Sequence, residues 1–580
     1  MASLSKLSTY ILLASILVLA FFLRFHNIGK HGLAGDEKYS LFVSQFVSYE
    51  GNNQRNSVRK PNSPYFTPQE FWSEKNIHDF FDSIARVDTG NGSLYTYTLH
   101  YWSKIFGLED GNLRILSLLF NLLTVVLIFV FVKTHFQSEK LALLAAFLST
   151  ISPFYINYSQ VARNYAMLFF FSLLATHLFL VIIKREKNGQ RTVIYYFYYG
   201  LSALACELCH ISTFPLFLIH GLYVLIYIRQ LRVWIGLSLA MLIPVAGVIA
   251  WLKSEGGQWL FDYVQNSVKV YNYLAQTSPD DYLSVATLPN IFKQLKHVIS
   301  SAFISSEGLY LHLSGLKNTI IAIGSTIVGF ACFRWIPSDR LKVVVVSTLI
   351  GVSLLLYSTA KLQFLVLSLN IVLIGILLNY VARNFKKPDN HLLIFLLLLV
   401  VLPFLFLILF SLQDGNTFRI IPRYIGYSYA FGIILIALLI RQIWLMKSNF
   451  KYALFLLLAI QLYLIGGIIQ NIWQDNPPRY FMSFAEPRQQ NPYILSANKI
   501  QSLYAKGDTV IYCSYKDPMP GGQGTPQYSV VDAQLTNFYL PKDSQIIQRV
   551  NPAERDKIVL KKANGQDILI FDLQGAKYRY

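Results

Sequence analysis

Apolar runs of the length a membrane-crossing helix needs, about 17–25 residues, recur from the N-terminus to near residue 472. They fall near 8–25, 112–132, 141–156, 165–183, 192–208, 211–228, 233–252, 318–335, 341–358, 362–381, 391–411, 424–440 and 452–472. The pattern predicts thirteen transmembrane helices. The first run lacks a small-residue cleavage site and is followed by Arg24, so it reads as a retained anchor. Three mixed stretches interrupt or follow the runs: 26–111, 253–317 and 474–580. In the first of these, Leu94 to Phe106 (LYTYTLHYWSKIF) has the spacing of an amphipathic helix lying in the membrane interface. The tail carries the β-rich runs TVIYC (509–513) and DILIFDL (567–573), with turn-forming PMPGGQGTP at 518–526. That pattern predicts a small α/β domain of about 100 residues. No repeat at a fixed period is evident.

Composition sharpens this reading. The chain is 54% hydrophobic and 14% charged, with mean hydropathy +0.42. Soluble proteins carry about 25% charged residues, so a soluble multidomain enzyme is excluded, and so is disorder. Four cysteines make no disulfide framework. The net charge of +19 is a topology signal. Lys6, Lys133, Lys140, the segment KREKNGQR (184–191), Arg229, Arg232, Arg334, Arg340, Lys342, Arg383, Lys386, Lys387, Arg441, Lys447 and Lys451 all fall on one side. The opposite short loops hold Arg163, Lys361, Arg419 and Arg423. Basic loops mark the cytoplasmic side. The N-terminus is therefore expected inside, and the tail and both long loops outside. Nucleic acid is not an expected partner. The predicted class is a polytopic α-helical membrane protein, 1–473, with a C-terminal α/β domain, 474–580.

Ionisable groups close to a span are costly and are functional candidates by default. One cluster is Gly35-Asp36-Glu37-Lys38-Tyr39-Ser40, about ten residues beyond the first span. Asp36 can face a cavity there, or it can cap a helix through YSLFVSQFVSY while Glu37 favours the first-turn dipole. A second cluster, Tyr158-Ser159-Gln160-Val161-Ala162-Arg163-Asn164-Tyr165, follows Ser152-Pro153. Arg163 either lies at a binding site or snorkels to headgroups. A third is Arg419 with Arg423-Tyr424. Two arginines on a short outer loop run against the charge bias and call for an anion. Guanidinium groups bind phosphate in bidentate fashion, so a lipid phosphate held by Arg163, Arg419 and Arg423 is the sharper expectation. Cys206-Glu207-Leu208-Cys209-His210 matches a haem-attachment pattern. It lies at the end of an apolar span without cytochrome-like surroundings and reads as a chance match, leaving His210 as a polar cavity group.

The order of these clusters resembles bacterial GT-C glycosyltransferases, the superfamily of protein O-mannosyltransferases and lipid A aminoarabinose transferases. The matching passages are LRFHNIGKHGLAGDEKYS (23–40), GNGSLYTYTLHYWSKIFGLEDGNLRILSLLFNLLTVVLIF (90–129), LALLAAFLSTISPFYINYSQVARNYAM (141–167), CHISTFPLFLI (209–219) and PRYIGYSYAF (422–431). The resemblance implies transfer of a sugar from a polyprenyl-phosphate carrier to an acceptor on the outer face of a bacterial inner membrane. It implies Asp36 as catalytic base with Glu37 beside it, and Arg163 and Arg423 near the carrier phosphate. Two passages depart from the pattern. Val161 stands where many relatives have Glu, and Asn91-Gly92-Ser93 replaces a His-Pro-Pro.

The chemistry suits those residues. A departing lipid phosphate needs charge stabilisation more than a proton, and fixed guanidinium donors supply it. The acceptor hydroxyl needs one carboxylate as base. Retention by double displacement needs a second acid as nucleophile, and none stands out, so inversion is expected. Tyr158, Gln160, His210, Tyr424 and Asn91 are expected to line the cavity. Asp36 and Glu37 are hard oxygen ligands, but two adjacent acids without a third partner do not call for a metal. The expected partners are a polyprenyl-phosphate sugar, membrane lipids, and a lipid, glycan or protein acceptor. A flippase of a lipid-linked saccharide is the alternative; it too needs phosphate-binding arginines in a cavity.

Overall fold

Where their residues are described, the apolar runs are mostly helical, the third of them divided between two helices. The structure, a computed structural model, describes residues 5–49, 66–85, 92–280, 283–313, 315–356, 362–384, 391–476, 489–513, 528–551 and 556–573. Helix α1 (Lys6–Phe25) leads into a loop holding α2 (Gly35–Ser44), α3 (Pro68–Phe71) and α4 (Ile77–Ile84). Thr67 and Asn76 cap the last two, each in a reciprocal box with the acid three residues on, Glu70 and Asp79. Then come α5 (Ser93–Phe106), α6 (Asp110–Phe136), α7 (Glu139–Thr150), α8 (Pro153–Ser159), α9 (Tyr165–Lys187), α10 (Val193–Cys209), α11 (Phe214–Tyr227) and α12 (Leu231–Leu252). The second long loop folds as α13 (Glu255–Thr277) and α14 (Leu288–Ala302). The remaining membrane helices are α15 (Leu316–Phe330), α16 (Asp339–Leu355), α17 (Gln363–Asn384), α18 (His391–Asp414), α19 (Tyr429–Leu445) and α20 (Phe450–Gln474).

Among the described residues, nine helices are both long and apolar enough to cross a membrane, and α7 with α8 makes a tenth bent by 59°. The bend has a local cause. Pro153 occupies the first turn of α8 and has no N–H to continue the α7 ladder. Helices α10 and α11 are apolar but shorter, at 17 and 14 residues, and α16, at 17 residues, opens on the charged Asp339, Arg340 and Lys342. The amphipathic helix read at 94–106 is present as α5, which buries Tyr95 and Leu99 and exposes Tyr101 and Ile105.

Helices α6, α9 and α19 are buried at the centre, whereas α1, α12 and α15 turn most of their apolar surface outward. Leu316 and Ile320 of α15 stand exposed on that outer surface, which suits lipid. In lipid, helices associate by close backbone approach at small residues. At Gly200 of α10, a Cβ would come within 2.6 Å of the Ala240 carbonyl of α12. Arg24, read from sequence as a flank of the first span, is instead fully buried. It donates to Asn121 Oδ1 (2.7 Å) and to the carbonyls of Ala20, Ser149 and Thr150. It thereby satisfies two of the carbonyls that end α7.

The tail contains α21 (Pro492–Leu503), β1 (Thr509–Cys513), α22 (Tyr528–Asn537), β2 (Gln548–Asn551), β3 (Lys557–Lys561) and β4 (Asp567–Asp572). The sheet runs β2-β1-β3-β4, with β1 parallel to β2 and the other pairs antiparallel. Val510, Tyr512, Ile558, Leu560 and Ile570 build its core. Both strands read from the tail sequence are present. The 518–526 turn lies outside the described residues.

Candidate functional site

The predicted site residues sit where helices end on one side of the bundle: the loop after α1, the α8–α9 turn, the α10–α11 junction and the α18–α19 loop. The arrangement begins at the first turn of α2. Glu37, at the third position, accepts the Ala34 N–H at 2.8 Å and so caps the helix. Asp36 does not; its carboxylate turns to Arg423, with Oδ2 accepting from Nη1 at 2.9 Å.

Glu37 is completely buried and fully engaged. Arg114 Nε and Nη2 donate to its two oxygens at 2.7 and 2.9 Å, and the Ala162 N–H adds 2.8 Å. This corrects the expectation of a catalytic role beside Asp36: Glu37 faces protein, not the site. Arg114 spends its other donors on the carbonyls of Ile28, His31 and Gly32, so all five of its N–H groups are used. Sequence reading missed Arg114, which lies in the first turns of an apolar run. Removing one partner of such a buried pair costs about 3–5 kcal/mol.

Arg163 is also brought in. Its Nη1 donates to the Asp36 carbonyl at 3.1 Å. The turn presenting it is held by Glu37, through the Ala162 N–H, and by Ser117, whose hydroxyl donates to the Arg163 carbonyl. Arg423 lies 5.8 and 5.6 Å from the ring centroids of Tyr165 and Tyr424, a cation–π setting. Burial works against its charge, and the facing Tyr165 and Asp36 more than offset this, so its proton affinity is raised. Tyr158 is buried, its ring 5.3 Å from that of Tyr165. His210 packs edge-on to Tyr424 at 5.6 Å, and its Nδ1 accepts the Ser212 N–H. Burial, then the Arg423 and Arg163 charges, pull its imidazole down to about 3. It is neutral at pH 7 with the proton on Nε2.

Two of the expected site residues have partners within the protein. Gln160 does not line a cavity; its amide donates to the Arg24 and His26 carbonyls at 3.0 and 2.8 Å and ties α8 to the end of α1. Arg419 already has a protein partner, Asp414 Oδ2 at 2.8 Å. That anion lies five residues back, at the end of α18. Asn91 lies outside the described residues. Beside it, Gly92 adopts φ +86 and a Cβ there would meet Asn164 at 3.1 Å, a position suited to glycine. Asn164 in turn donates its amide to the Cys209 carbonyl. Cys206 and Cys209 are buried free thiols in the α10 packing.

Among the described residues no three His, Cys, Asp or Glu side chains gather as a metal site. Asp36 Oδ1 accepts no hydrogen bond from them. The arrangement can therefore take a proton at Asp36 and hold an anion at Arg423 and Arg163.

Residues 92–251 match the family model described as dolichyl-phosphate-mannose-protein mannosyltransferase. No curated protein sequence matches the chain. Several solved structures are similar. The Archaeoglobus fulgidus oligosaccharyltransferase in the apo form shares 13% identity over 93% of this chain and 65% of its own, with TM-score 0.47. The oligosaccharyltransferase AglB of the same organism, in complex with an inhibitory peptide and a dolichol-phosphate, shares 14% over 95% and 62%, with TM-score 0.44. ArnT from Cupriavidus metallidurans in the apo state shares 12% over 92% and 85%, with TM-score 0.36. The chain thus spans less than two thirds of the archaeal protein's length. None of these likenesses is close. The resemblance read from the ordered clusters is carried by the family model: over residues 92–251 the chain is similar to the dolichyl-phosphate-mannose-protein mannosyltransferases, a GT-C family.

Proposed function

We propose that the protein is an inverting glycosyltransferase that moves a sugar from a polyprenyl-phosphate carrier to a hydroxyl acceptor, with its site on the outer, periplasmic face of a bacterial inner membrane. The observation that carries this reading is the meeting, at one end of the bundle, of Asp36 with two guanidiniums: Arg423 on its carboxylate and Arg163 on its carbonyl. The family model over 92–251 supports a lipid-phosphate sugar as donor. Asp36 takes the acceptor hydroxyl proton, the oxygen attacks C1, and the bond from C1 to the phosphate oxygen breaks. The phosphate leaves as an anion held by Arg423 and Arg163, without needing a proton. The base is worth about 10²–10⁴-fold.

In the resting state Arg423 neutralises Asp36. The donor phosphate competes for the same guanidinium, so donor binding frees the base when it is needed. Glu37, Arg114 and Gln160 hold the backbone that presents these groups. With Glu37 enclosed, Asp36 is the acid that reacts among the described residues, which supports inversion. The test is product analysis with purified protein in detergent, given labelled polyprenyl-phosphate sugars and glycolipid, glycan or peptide acceptors. A new glycosidic bond of inverted configuration is expected. No bond with any pairing overturns the reading.

A further inference from the structure

Helix α2 is ten residues long, too short to hold its own place, and Asp36 sits on its first turn. Part of what fixes it comes from the far end of the sequence. Ahead of α2, the Gly32 N–H donates to the Gln489 carbonyl at 2.7 Å. Contact there is close: a Cβ at Gly32 would stand 3.0 Å from that carbonyl and 3.2 Å from Asn491 Cα. Asn491 donates to Asp110 Oδ1 at 2.9 Å, at the start of α6, while its own carbonyl oxygen caps α21. Beyond α2, the buried Gln534 of α22 donates to the Ser48 carbonyl at 2.9 Å. Between these two points the Phe42 ring of α2 meets Phe538 edge-on at 5.3 Å. The first loop closes the third side: Phe66 bridges to Gln548 on β2, and Trp72 Nε1 donates to the Asn537 carbonyl at 2.9 Å. Residues 529–538 of the tail are buried throughout. The face of the tail that carries α22 is thus committed to this chain.

We propose that the C-terminal α/β unit is a clamp on the helix that carries Asp36, with Gln534, Phe538 and Asn491 as positioning residues for the base. The inference rests on the reading of Asp36 given above. The tail grips the chain on both sides of α2, so α2 cannot shift along or away from α5 while these contacts hold. The Arg114–Glu37 pair fixes the same helix from the membrane side. Geometry at a reacting centre is demanding: a displacement of about 1 Å can cost about a hundredfold in rate. Loosening the clamp therefore acts on turnover at saturating donor, while Arg423, on the α18–α19 loop, keeps its hold on the donor.

The experiment uses the full chain in detergent with Gln534→Met, which keeps volume and removes the donor, and the milder Phe538→Leu. Hydrogen–deuterium exchange of segment 35–48 is compared with that of α5 in the same protein, and kcat and KM are measured with a labelled polyprenyl-phosphate sugar. Exchange in 35–48 is expected to quicken at least tenfold in Gln534→Met with α5 unchanged. The kcat is expected to fall about tenfold or more with donor KM within twofold, and Phe538→Leu to give the same pattern at smaller size. Unchanged exchange in 35–48 overturns the clamp, and quickened exchange with unchanged kcat overturns the positioning role. If wild-type protein transfers no sugar, the functional reading fails on its own, and the exchange arm still decides whether the clamp exists.

Discussion

Two carboxylate–guanidinium pairs lie on consecutive residues of α2, and they differ in almost every physical respect. Glu37 with Arg114 is closed: side-chain exposures are 0% and 1%, and every donor of the arginine is used. Asp36 with Arg423 is open: exposures are 17% and 13%, and a single 2.9 Å bond joins them. A saturated pair cannot exchange partners without leaving a buried charge, so it serves architecture. A pair with one bond and some access to solvent can give up its partner to an incoming phosphate and take a proton. Position on the same helix turn thus separates a group that holds the site from one that reacts in it.

That contrast can be broken by substitution. Asp36→Asn keeps shape and loses the base, so turnover is expected to fall about 10²–10⁴-fold with normal abundance and unfolding midpoint; transfer assays and thermal melts check both. Glu37→Gln is expected to do the reverse, lowering stability by about 3–5 kcal/mol and lowering membrane abundance on immunoblots. Arg423→Lys keeps the charge but loses the planar fork. It is expected to raise donor KM about tenfold, read from initial rates, with a smaller change in melting. Gln160→Ala removes two buried hydrogen bonds and is expected to cost about 1–3 kcal/mol without altering donor KM. The smallest effect concerns pH. His210 has a folded value near 3 against about 6.5 unfolded, so its contribution is full above about pH 6.5 and is lost as pH falls toward 3. His210→Gln is expected to flatten the melting temperature across that window.

How much of this could be read from the chain depends on the range of the interaction. The apolar runs were legible because span length and periodicity are local; the third run shows the limit, since Pro153 turns the backbone by 59° inside what reads as one span. Asp36, Arg163, Arg423, Tyr424 and His210 could be grouped because alternating topology places their loops at one end of the bundle. The partner of Glu37 could not, because Arg114 is 77 residues away inside an apolar helix and no periodicity links them. Gln160 was misplaced for the same reason: its acceptors are the carbonyls of Arg24 and His26, which sequence does not advertise. Arg419 is different. Asp414 was five residues away, and local charge pairing was enough to find it.

The most direct test is a structure of the full chain with polyprenyl phosphate bound. The account predicts phosphate oxygens within hydrogen-bond distance of Arg423 and Arg163, Asp36 released from Arg423, and the Glu37–Arg114 pair unchanged. A phosphate seated elsewhere, with the Asp36–Arg423 bond intact, would contradict it.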